Sequence, residues 1–124
     1  MLVFESKAGR SKSDKIIEYI EQNNNKRYLI IDLEGSLDKR IRKDNVDFLF
    51  GNHMNSENNA KEFIKMLDEH GDNKTYDLVF VVVNTHKKNI SEYKKLELDY
   101  NVKLAITVQL PSSSTQEEVN IYTV

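Results

Sequence analysis

The stretch Leu2-Val3-Phe4-Glu5-Ser6-Lys7-Ala8-Gly9-Arg10-Ser11-Lys12-Ser13-Asp14-Lys15-Ile16-Ile17-Glu18-Tyr19-Ile20 decides the fold. Leu2 to Glu5 reads as a short strand and Ser6 to Ser13 as a turn. Asp14 opens a helix, because Ile16, Ile17 and Ile20 recur at helical spacing between charged residues. A helix begun straight after a strand points its unpaired N–H groups and positive dipole end at whatever anion sits on the turn.

Outward from that unit, strands and helices alternate to the end of the chain. The first helix runs out in Asn23-Asn24-Asn25, and Tyr28 to Ile31 forms a buried strand leading into Asp32-Leu33-Glu34-Gly35. Strand, helix and strand make a right-handed βαβ unit, in which we expect the second strand to lie beside the first. Leu37 to Lys43 reads as a short helix and Val46 to Phe50 as a short strand ending at Gly51. Glu57 to His70 is amphipathic, with Ala60, Phe63, Ile64 and Leu67 on one face and Gly71 just past its end. Asp77 to Val83 is the most apolar run, and its lack of alternation predicts a central strand covered on both faces. Ile90 to Tyr100 reads as a helix, Val102 to Leu110 as a strand, Pro111 to Thr115 as a turn, and Val119 to Val124 as an edge strand. The expectation is an α/β fold, a three-layer sandwich with a mainly parallel sheet of about five strands. In such a sheet ligands collect outside the carboxyl ends of the strands, which places Ser6 to Ser13, Asp32, Glu34, Asn84, Thr85 and Gln109 along one edge.

Composition bounds the function classes. With 124 residues, the chain suits one domain, 1–124, around one core. Hydrophobic residues at 39% and charged residues at 31% argue for a folded chain with a heavily charged surface. A formal net charge of −2 provides no global attraction to nucleic acid or anionic membrane, so such a contact needs a local patch. Without cysteine, disulfides and thiolate metal sites are excluded. A strand beginning within two residues leaves no signal-peptide pattern, so we expect a cytoplasmic protein.

The nucleotide-binding P-loop has the pattern G-x-x-x-x-G-K-[ST], and Ser6 to Ser13 meets it at Lys12 and Ser13, with Ser6 and Ser11 where the glycines belong. Each serine adds a Cβ to a crowded cradle. In the functional reading Lys12 reaches the β- and γ-phosphates and Ser13 ligates magnesium; otherwise they are a surface lysine and a helix-capping serine. Asp14, beside the cradle, would repel phosphate unless turned outward.

Four stretches together resemble the core of the RecA-type recombinases, within the P-loop NTPases. They are the degenerate P-loop, Ser6, Gly9, Arg10, Ser11, Lys12 and Ser13; Ile31-Asp32-Leu33-Glu34-Gly35-Ser36-Leu37-Asp38; Asn45-Val46-Asp47 with Phe48-Leu49-Phe50; and Asn101 to Gln109. The resemblance covers nearly the whole chain in order. It implies ATP and Mg2+ as cofactors, Glu34 as the group that polarises the attacking water, and Gln109 as the γ-phosphate sensor leading into a DNA-binding loop. Where the family carries a magnesium-orienting aspartate, the Asp77 strand ends in Asn84 and Thr85, and its run is longer by about two residues. An amide can hold a water but brings no negative charge to the metal. The stretch after Gln109 is also short for the family's DNA loop. These departures imply a reduced accessory protein or paralogue of recombination and repair ATPases, with weak or lost ATP binding and hydrolysis. The alternative is a non-enzymatic interaction module that docks on a RecA-type ATPase, or self-associates, through an exposed strand such as Val119 to Val124.

Other polar features carry plainer alternatives. Glu34 is either a water-positioning group or a solvated acid in a strand-to-helix turn. Lys39, Arg40, Arg42 and Lys43 form the densest basic cluster, a contact for a DNA phosphate backbone or an acidic partner, or simply a solvated face diluted by Asp38 and Asp44. His53, His70 and His86 lack metal-ligand spacing, which argues against zinc.

Overall fold

The structure is a computed structural model and describes residues 1–8, 11–35, 37, 40, 41, 43–50 and 56–124, the side chain of Phe50 excepted. The strands are β1 (Leu2–Lys7), β2 (Tyr28–Asp32), β3 (Val46–Phe50), β4 (Leu78–Thr85), β5 (Leu104–Leu110) and β6 (Asn120–Thr123). The α-helices are α1 (Lys12–Gln22), α2 (Glu57–Glu69) and α3 (Ile90–Asp99). The strands form one six-stranded sheet in the order β3-β2-β4-β5-β1-β6. Four pairings are parallel, and only β6 runs antiparallel, along β1.

Alternation along the strands sorts the core into two clusters. On one face Phe4, Tyr28, Ile30, Phe80, Val82 and Ala105 pack with Ile16 and Ile20 of α1; on the other Val3, Leu29, Ile31, Val79, Val81, Leu104 and Ile106 pack with Ala60, Ile64 and Leu67 of α2 and Tyr93 of α3. The unalternating run of β4 is explained by this position, between β2 and β5 with apolar clusters on both faces. Phe80 holds the α1 side together, its ring centroid 5.9 Å from Phe4, 5.9 Å from Tyr28 and 6.0 Å from Tyr19.

Three expectations are corrected. The sheet has six strands rather than about five, because the terminal segment pairs fully with β1. β2 does not lie beside β1: β4 and β5 separate them, since residue pattern fixes which faces are buried but not the lateral order of strands. Finally, α1 begins at Lys12 rather than Asp14, capped by Ser11, whose hydroxyl oxygen accepts from Asp14 N. Of the helix expected over 37–43, residues 38, 39 and 42 lie outside the described residues. Those described make a single turn, with Arg40 N and Ile41 N both donating to Leu37 O. Gly51 and His53 also lie outside them. Among the described residues no helix is long and apolar enough to cross a membrane.

Phe80 is 1% exposed and Leu98 71% exposed. Phe80→Ala should cost about 3–5 kcal/mol and Leu98→Ser less than about 0.5 kcal/mol, both read from urea unfolding midpoints.

Candidate functional site

Because β1, β2, β4 and β5 are parallel, their carboxyl ends share one edge, and Ser6, Lys12, Asp32 and Thr85 are buried there, whereas the buried Asn73 lies at the opposite edge, bonded to Tyr100 O and Asn101 O. Ser6 and Lys12 are both buried. The Lys12 ammonium folds back from the first turn of α1 and donates to Ser6 Oγ at 3.1 Å, and Ser6 Oγ donates in turn to Lys7 O. Burial pushes the Lys12 ammonium below its ordinary value, and the field of the Glu34 carboxylate opposes that shift. Lys12 and Glu34 therefore face one another electrostatically although their strands are not neighbours.

Glu34 is placed by Asp32, the last residue of β2. Asp32 Oδ1 accepts from Glu34 N and Gly35 N, each at 2.9 Å, and Oδ2 accepts from Leu37 N at 3.0 Å. The carboxylate is spent on a tight turn that Gly35 completes at φ +69°. Asp32 thus builds the loop, and Glu34 is exposed beyond it.

Asn84 comes from the end of β4 and donates from Nδ2 to Glu34 Oε1 at 3.3 Å. Its own Oδ1 is buried and has no hydrogen-bond partner. Its backbone is left-handed, φ 48°, inside a bulge. Val81 pairs with Ile106 and Thr85 with Val108, so four residue steps on β4 oppose two on β5, an excess of two residues. The length of the apolar run is absorbed there.

Ser13, the second residue of α1, is half-buried, and Ser11 is the exposed cap of that helix. Gln109 is exposed on β5, in register with Ser6. Gly9 and Arg10 lie outside the described residues, as do Lys39 and Arg42 of the basic cluster. Arg40 is ion-paired with Asp14, whose carboxyl is held below its usual range by hydrogen bonds from Ser11 and Arg40. That pairing turns Asp14 toward Arg40, while Lys43 is exposed.

A second polar group on the α2 and α3 face of the same edge was not singled out from sequence. Glu57 Oε1 accepts from Thr85 Oγ1 and Tyr93 OH, both at 2.6 Å, and Asn89 Nδ2 donates to Thr85 Oγ1 at 2.9 Å. Burial raises the Tyr93 phenol, and its bond to Glu57 adds to that. Glu5, buried in β1, pairs with the exposed Lys87 at 3.2 Å. The available signal was an acid alternating with Val3 in an otherwise apolar strand.

Fold and site together define an α/β protein with a polar centre at the carboxyl edge of its sheet, built from a buried lysine, an exposed glutamate and a strained asparagine. Comparison of the chain with known protein families, curated proteins and solved structures finds no match.

Lys12 supplies a pH test. Its folded value is lowered, so between that value and the ordinary lysine range the unfolded chain binds more protons, and stability contributed by this group rises with pH. Raising pH from neutral into the alkaline range should therefore improve wild-type stability relative to Lys12→Met, measured as paired urea midpoints. A constant difference across the series would show that the ammonium carries no burial penalty.

Proposed function

We propose that the chain is a minimal RecA-like P-loop domain in a three-layer sandwich, an accessory protein or paralogue of recombination and repair ATPases that binds Mg-ATP weakly and is at most a weak ATPase. One observation carries the reading: a buried ammonium in the first turn of a helix, facing Glu34 at the carboxyl edge of a parallel sheet. As a fold element this placement is unfavourable three times over. It desolvates a charge, sets it at the positive end of a helix dipole and gives it a neutral hydroxyl as its hydrogen-bond partner. A phosphate on the turn would offset all three.

The residues fit Mg2+ arriving with the nucleotide through its waters better than a directly held ion. Among the described residues no three His, Cys, Asp or Glu side chains gather, while the Ser13 hydroxyl and the orphaned Asn84 Oδ1 offer neutral oxygens. When bound, the metal supplies charge neutralisation on the phosphates. Lys12 holds the β- and γ-phosphates, Glu34 orients the attacking water and Gln109 reads the γ-phosphate. With no carboxylate at Asn84 the metal site is poorly anchored, so turnover is slow.

Titration of the purified protein with labelled Mg-ATP should saturate at high micromolar to millimolar nucleotide, and Lys12→Met should weaken binding by about tenfold or more. Glu34→Gln should retain binding and abolish any hydrolysis. Absence of binding at millimolar nucleotide would remove the nucleotide reading. In that case the outer edge of β6, with Ile121 and Val124 exposed, favours the interaction module, docked on a partner ATPase or on a second copy. Sedimentation across a concentration series distinguishes self-association from a monomer.

A further inference from the structure

The bulge in β4 is held by one side chain. Thr107, 2% exposed in β5, accepts at Oγ1 from both Val83 N at 3.1 Å and Asn84 N at 2.9 Å. Both amides lie within residues 82–84, where the register between β4 and β5 breaks. A buried N–H without a partner is costly, so this single oxygen is what lets β4 carry two surplus residues in the middle of a sheet. On the far side Thr85, next in the chain, is fixed by Glu57 and Asn89. Asn84 is thus pinned between two anchored neighbours, in a left-handed conformation that a short amide side chain tolerates better than most.

The strain has a directional result. Asn84 is delivered with its Nδ2 on Glu34 and its Oδ1 buried without a donor. An unpaired acceptor beside a strained backbone points to a ligand-facing role. We infer that Thr107 is a positioning residue for the site, fixing the β4 bulge that turns the Asn84 amide onto Glu34 and leaves the buried Asn84 Oδ1 without a protein donor, to be met by a donor on the bound ligand, such as a water of the magnesium–nucleotide complex. This rests on the nucleotide reading above.

The test uses Thr107→Val, which keeps shape and loses the acceptor, Thr107→Ser, which keeps the acceptor, and Asn84→Gly, which accepts the positive φ but has no amide. Mg-ATP affinity is measured by calorimetry, and amide hydrogen exchange is followed at Val83 and Asn84. Thr107→Val should weaken binding about tenfold and speed exchange at both amides, whereas Thr107→Ser should stay within about twofold of wild type. In an Asn84→Gly background Thr107→Val should have no further effect on affinity, because the residue it acts through is gone. A purely structural role would leave the same loss in both backgrounds. The inference is overturned if Thr107→Val binds like wild type, if Thr107→Ser is equally impaired, or if the two amides keep their protection in Thr107→Val. Failure of the wild type to bind removes the function and the inference together, whereas normal wild-type binding with an indifferent Thr107→Val removes the inference alone. Should Thr107→Val not fold, Thr107→Ser and Asn84→Gly decide between them: positioning requires the first to bind like wild type and the second to bind weakly.

Discussion

A charged ammonium sealed at the rim of a parallel sheet is the constraint from which the rest of this structure follows. Lys12 reaches Ser6 from the first turn of α1, which starts at Lys12 under the Ser11 cap, with Asp14 paired to Arg40. The sheet favours the position: strands packed on both faces carry mainly apolar side chains, with Glu5 and Thr107 as exceptions, and Ser6, Asp32 and Thr85 lie at or near the strand ends. One direction of travel for five strands then concentrates them on a single edge.

That edge has two faces with different tasks. Toward α1, the cluster of Ser6, Lys12, Glu34 and Asn84 is incompletely satisfied, with an orphaned amide oxygen and a desolvated cation. Toward α2 and α3, Glu57 takes two short hydrogen bonds and ties the start of α2 to the end of β4 and to Tyr93 of α3. Saturated networks rigidify; unsaturated ones are available to a ligand. The Glu57 network therefore braces the second face, although Glu5 Oε1 there is also buried with no hydrogen-bond partner.

Much of this was legible in the sequence, and what was not has a physical reason. Burial period exposes helices and strands, so β3, α2, α3 and the central strand β4 emerge within a residue or two of their bounds. The order of strands does not emerge, because β2 is equally apolar beside β1 or beside β4. Among site residues, Lys12, Glu34 and Asn84 are found together, since each ends or follows a strand. Thr107 escapes notice because a threonine in Leu-Ala-Ile-Thr-Val is an ordinary strand residue until its neighbour proves to be bulged. Asp32 and Glu34 look alike as letters, and only the three backbone amides gathered by Asp32 separate the builder of the turn from the group it displays.

The pairing of β1 bears on how the protein is made. Its two partners, β5 and β6, follow β2, β3 and β4 in sequence, so β1 leaves a ribosome well before either of its bonding neighbours. Until then its apolar residues have no sheet to join, and β2, β3 and β4 can assemble first as a provisional core. The placement of Ser6 beside Lys12 is thus completed only once β1 has found its partners, and a chain interrupted before β5 carries these residues without their arrangement.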